Sequence, residues 1–129
     1  MSDPQFLAAV TAAFTAVAAA LEAERTALER RDAVALLAAA DRKLAAFGQA
    51  AEVARGHDLR GLPGAAACVT LVERCRSLQA GNAALLRAQR RRVDALLTVL
   101  TGVPAGRDTY GPDGAAGGPR RGRGALASA

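Results

Sequence analysis

The chain has 129 residues, 51% of them hydrophobic but only 3% aromatic, with no Trp, one Tyr and three Phe. That length holds one domain, and apolar material drawn mostly from alanine and leucine excludes a β-sandwich or barrel, which relies on β-branched and aromatic side chains. Of the net charge of +5, from 17 basic and 12 acidic residues, +2 falls on the segment from Val103 onward and +3 is spread thinly along the body, which reads as an ordinary solvated surface.

Asp3-Pro4 opens a first helix as N-cap and first-turn proline. Leu7, Val10, Phe14, Val17, Leu21 and Leu28 follow in steps that keep a seven-residue repeat, the pattern of a helix packed along another helix. The apolar stretch from Phe6 to Leu21 falls short of the roughly 18 residues that a membrane span needs. Asp3 without Lys or Arg before it is also the wrong charge for a signal peptide. A second stripe, Val34, Leu37, Leu44 and Ala51, has the same spacing. On one continuous helix it would point a third to nearly half a turn away from the first, at about 100° per residue. A break at Arg30-Arg31-Asp32, with Asp32 capping a new helix, removes the conflict and is expected; the alternative is one helix that runs on and changes its packing partner.

The segment from Gly56 to Gly64 has loop chemistry throughout. A long helix follows from Ala65 to Thr101, with Leu71, Cys75, Leu78, Asn82, Leu85, Gln89, Val93, Leu96 and Leu100 on one side. Leu86 and Leu97 widen this face to about 120°, more than a two-helix seam uses. Either a third helix covers the extra width or a helix from another protein does. Asn82 and Gln89 on the same axis imply a seam that is register-specified or partly wet. Gly102-Val103-Pro104 ends the helix. The remainder holds seven of the 13 glycines and three of the five prolines without periodicity. The expected fold is therefore all-α, an antiparallel hairpin or bundle of two to three long helices over residues 1–102, with a flexible tail over 103–129.

Chemistry is sparse. Cys68 and Cys75 are separated by about 10 Å of helical rise, beyond disulfide reach, and read as small buried hydrophobes in a reducing compartment. A cytoplasmic location is expected. His57, the single histidine, reads as a surface loop residue. No phosphate loop, dinucleotide fingerprint or nucleophile elbow is present, and Asp108 and Asp113 lack the spacing of a calcium loop. Neither enzyme activity, cofactor nor metal is expected. Arg87, Arg90, Arg91 and Arg92 read as a solvated helix face. The arm at Arg120, Arg121 and Arg123 has no adjacent aromatic and suits only weak, salt-sensitive binding. Nucleic acid is thus not expected as a partner, and a small basic helical nucleic-acid-binding protein is the alternative reading. Tyr110, the single tyrosine, lies in Asp108-Thr-Tyr-Gly-Pro-Asp-Gly114, outside any packed element. It is either a partner anchor or a spectator turn residue.

These features together resemble the FlgN family of flagellar export chaperones. The resemblance is carried by the leucine-rich, alanine-heavy helices, the Asp32…Leu37…Lys43-Leu44 stretch, the Leu78-Gln79-x-x-Asn82-x-x-Leu85-Leu86 run and the segment Thr109-Tyr-Gly-Pro-Asp-Gly114. It covers roughly residues 5 to 114. Gln79 stands where the family commonly has the first Asn of an Asn-x-x-Asn pair, and Gly81 interrupts the helix. The resemblance implies a cytoplasmic, non-enzymatic chaperone of hook–filament junction (hook-associated) proteins that delivers them to the flagellar type III export gate. It makes Leu85, Leu86, Val93, Leu96, Leu97 and Leu100 the client contacts, and Tyr110 the contact to the cytoplasmic domain of the gate.

Overall fold

The computed structural model describes residues 2–103. They form three helices, α1 (Asp3–Arg30), α2 (Ala33–Ala54) and α3 (Ala66–Thr101), and no strand occurs among the described residues. The chain divides into two units, one ending at Leu85 and one beginning at Leu86. The expected tail, including Tyr110 and the Arg120–Arg123 arm, lies outside the described residues.

The start of α1 differs by one residue from the sequence reading: Ser2, not Asp3, is the N-cap. Its hydroxyl accepts from the Gln5 amide while the Gln5 side chain accepts from the Ser2 amide, a reciprocal cap. The expected break is present. Arg31 is left-handed (φ 54, ψ 41), the only described non-glycine residue with positive φ. Asp32 then caps α2 by accepting from the Ala35 amide at 3.0 Å. With a single residue in αL and the next already an N-cap, the chain reverses at once, and α2 returns antiparallel along α1. The loop before α3 turns on Gly56, Gly61 and Gly64, all with positive φ that a side chain would strain. Its His57 is exposed and lies against the Phe6 ring, centroids 4.3 Å apart.

The core belongs to α1. Phe6, Val10, Val17, Leu21 and Leu28 are buried, with Ala13, Ala18, Ala20 and Ala27 between them. By length and composition α1 is apolar enough to cross a membrane, its best 18-residue window having a mean hydropathy of 1.8. This corrects the shorter span read from the sequence. In this fold its apolar stripe is covered by α2 and by the first half of α3.

The second stripe is not in the core. Val34, Leu37 and Leu44 are 80%, 70% and 70% exposed, and Ala51 is exposed as well. The face that α2 turns inward is instead built from Ala39 and Ala50, with half-buried Leu36, Ala40, Lys43, Ala46 and Val53 around them. Alanine lets helix backbones approach closely, and van der Waals contact between close backbones replaces large side chains.

Candidate functional site

The first half of α3 is fixed to α1 by a periodic set of polar contacts. The Cys68 thiol donates to the Leu7 carbonyl at 3.6 Å, the Cys75 thiol to the Phe14 carbonyl at 3.4 Å, and Asn82 Nδ2 to the Leu21 carbonyl at 2.9 Å. Each pair is separated by 61 residues, so donor and acceptor advance together by seven. A constant separation of this kind requires α1 and α3 to run parallel at fixed register. The small size of Cys and Asn admits the approach, and both cysteines are free, buried thiols. Burial pushes the Cys75 thiol above its ordinary pKa, which holds it in the protonated, donating form.

Asn82 also ties in a charged pair. Its Nδ2 donates to Glu24 Oε1 at 2.9 Å, while Lys43 Nζ donates to Glu24 Oε2 at 2.8 Å and to Gln79 Oε1 at 3.3 Å. The network therefore takes Glu24 from α1, Lys43 from α2, and Gln79 and Asn82 from α3. Glu24 and Asn82 are buried, so a shift of any helix by one turn leaves a desolvated charge unpaired. That cost specifies register. Of the two readings open for the polar residues on this seam, register specification describes Asn82. At Gly81, a Cβ would sit 3.3 Å from the Arg25 guanidinium, which pairs with Glu29 at 3.0 Å. The glycine makes room for that arginine. Glu22 and Arg74 form a further α1–α3 ion pair on the surface.

Between these helices Phe14, Phe47, Val72, Cys75, Arg76 and Gln79 line an open cleft of about 280 Å³. Its walls are apolar, with Arg76 the one charged side chain among them. It holds no cluster of nucleophilic or acid–base groups. Among the described residues, no group of three or more His, Cys, Asp or Glu side chains comes together anywhere.

From Leu86 onward α3 has a different character. Leu86, Val93, Leu96, Leu97 and Leu100 are exposed, Leu97 at 51% and Leu100 at 71%. Leu85, the first of the expected client contacts, is half-buried. Val99, which lies off the seam axis and was not singled out from the sequence, is 79% exposed, and Val103 is exposed too. Of the four arginines, Arg90, Arg91 and Arg92 are exposed and Arg87 is half-buried. Gly102, at φ +70, supplies the left-handed residue that ends the helix. Thr98 and Thr101 send their hydroxyls back to the Asp94 and Leu97 carbonyls, at 3.0 and 2.7 Å. Such local bonds leave those positions with no demand for an outside polar partner. The other exposed residues of the segment are apolar or cationic, with Gln89 and Asp94 half-buried among them. The apolar residues of α2 left outside, Val34, Leu37 and Leu44, form a second exposed strip that sequence periodicity assigned to the core.

No family model, curated protein or solved structure matches the chain.

Proposed function

We propose that the protein is a non-enzymatic, cytoplasmic export chaperone of the FlgN type. It holds the C-terminal segments of hook-associated proteins and hands them to the flagellar type III export gate. The observation that carries this reading is the exposed aliphatic ridge of α3, Leu86, Val93, Leu96, Leu97 and Leu100, continuing a helix whose first half is held in register by buried contacts. Monomeric proteins rarely leave a contiguous aliphatic strip of this kind uncovered. Disordered client termini are amphipathic segments that fold on such a strip and bury their own apolar face in doing so. The resemblance in the Thr109–Gly114 segment supports Tyr110 as the gate contact.

The experiment is a titration of the full chain with a C-terminal peptide of a junction protein, followed by calorimetry. Saturable binding is expected. Replacement of Leu96 and Leu97 by Asp abolishes it while circular dichroism stays helical, because neither side chain is in the core. Undiminished binding by that variant removes the ridge assignment. Tyr110→Ala leaves peptide binding intact and weakens association with the gate's cytoplasmic domain. A client defect in Tyr110→Ala reverses the division of roles.

A further inference from the structure

We infer that the segment from Leu86 to Thr101 is also an interfacial helix for an anionic lipid bilayer. The inference is independent of the client reading, because it rests on the arginines of this segment as well as on its leucines.

The geometry follows from helical spacing. At about 100° per residue, Leu86, Val93, Leu96, Leu97 and Leu100 fall within an arc of about 100°. Arg90 lies about 20° beyond one edge of that arc and Arg92 about 40° beyond the other. Arg87 and Arg91 occupy the opposite side, and Asp94 is the one acidic residue in the segment. An aliphatic face flanked on both edges by guanidinium groups is the arrangement that sits at a membrane surface. The arginine stems lie along the apolar boundary and the charged heads reach lipid phosphates. The segment's 16 residues span about 24 Å, too short to cross a hydrocarbon core of about 30 Å. The helix therefore lies in the plane of the surface.

Two features select an anionic bilayer over a folded protein groove. The exposed apolar surface is not confined to that arc: on the far side of Arg92, Val99 adds a separate exposed aliphatic side chain. A planar apolar boundary accepts that width without shape complementarity, whereas a coiled-coil partner uses only a narrow strip. The face is aliphatic except for half-buried Gln89 within it, and it has no Trp or Tyr to anchor it in neutral headgroups. Charge must then contribute much of the attraction. Four arginines against one aspartate match an anionic surface in sign.

The test is flotation of the full-length protein with vesicles of phosphatidylcholine alone or with phosphatidylglycerol added. A net of three positive charges on the segment predicts partitioning on the order of a hundredfold stronger to the phosphatidylglycerol vesicles. High salt reverses it. The variant Arg90→Gln/Arg91→Gln/Arg92→Gln loses most of that preference while its circular dichroism and its client-peptide titration stay at the parent level, since the leucine ridge is untouched. Equal binding to both vesicle types overturns the inference, as does full binding by the triple variant, which would move the attraction to the arginines beyond Val103. Failure to float, combined with DNA or RNA binding that survives physiological salt, overturns it in favour of a nucleic-acid surface. A lost client titration with vesicle binding intact would count against the chaperone proposal alone.

Discussion

Helices α1 and α2 carry the same three-and-four spacing of large aliphatic residues, and the bundle treats them in opposite ways. In α1, Val10, Val17, Leu21 and Leu28 are buried; in α2, Val34, Leu37 and Leu44 point outward and an alanine face packs inward. The difference teaches that in an alanine-rich helix the largest residues do not identify the inner face. A row of alanines brings the backbone close enough to gain contact along its whole length, and it leaves Lys43 within reach of Glu24. Turning α2 so that Leu37 and Leu44 entered the core would push the helices apart. It would also carry Lys43 away and strand a buried carboxylate.

Five single substitutions and one double variant break or sharpen this contrast. The largest effect is expected at the centre of the α1 stripe: Leu21→Ala, at a fully buried position, costs about 4 kcal/mol in chemical denaturation, within the span for buried leucines. Lys43→Ala removes the cation that neutralises buried Glu24 and costs about 3 kcal/mol. The double change Glu24→Gln/Lys43→Met recovers much of that loss, because the introduced amide oxygen still accepts from Asn82 and no charge remains. A double variant as unstable as Lys43→Ala alone would mean that the lysine matters through packing and not through its charge. Next comes the inner face of α2. Ala50→Leu overfills a position that is 1% exposed and costs about 2 kcal/mol, although it makes the helix more hydrophobic. The smallest effect is expected on the outer face, where Leu37→Ser and Leu44→Ser each change stability by no more than about 0.5 kcal/mol. A loss of several kcal/mol at Leu37 or Leu44 would show that these side chains are covered in solution, by a second copy or another chain. Sedimentation of the parent protein would separate those cases.

The two halves of α3 give the same lesson in another form. Up to Asn82, every seventh residue is small or polar and meets an α1 carbonyl. Beyond Leu85 the repeat passes through half-buried Gln89 and then continues as Leu96 and Val103, both exposed. The periodicity is unbroken along the helix and carries no mark of the change. What differs is side-chain size and hydrogen-bonding capacity at the repeat positions.

Much of the fold was legible from local chemistry. The all-α class follows from alanine and leucine in place of β-branched and aromatic residues. The break follows from the phase conflict between the stripes together with the capping ability of Asp32, and the end of α3 from Gly102. These signals act within one turn of the chain, where sequence and conformation are directly coupled. The wide apolar face that singled out Leu86, Val93, Leu96, Leu97 and Leu100 was equally a matter of spacing. Which residues are covered is another question, because burial depends on what another helix brings to the same place. The amino-acid order alone settled, to within a residue at the starts of α1 and α3, where the helices begin, turn and stop. Only the tertiary arrangement decided that α2 packs through alanine, that Cys68, Cys75 and Asn82 set the parallel register, and that the leucines past Leu85 stay exposed. Each of those outcomes is a competition between close backbone contact, the pairing of a buried charge and the burial of large side chains, and it is resolved only when all three helices are in place.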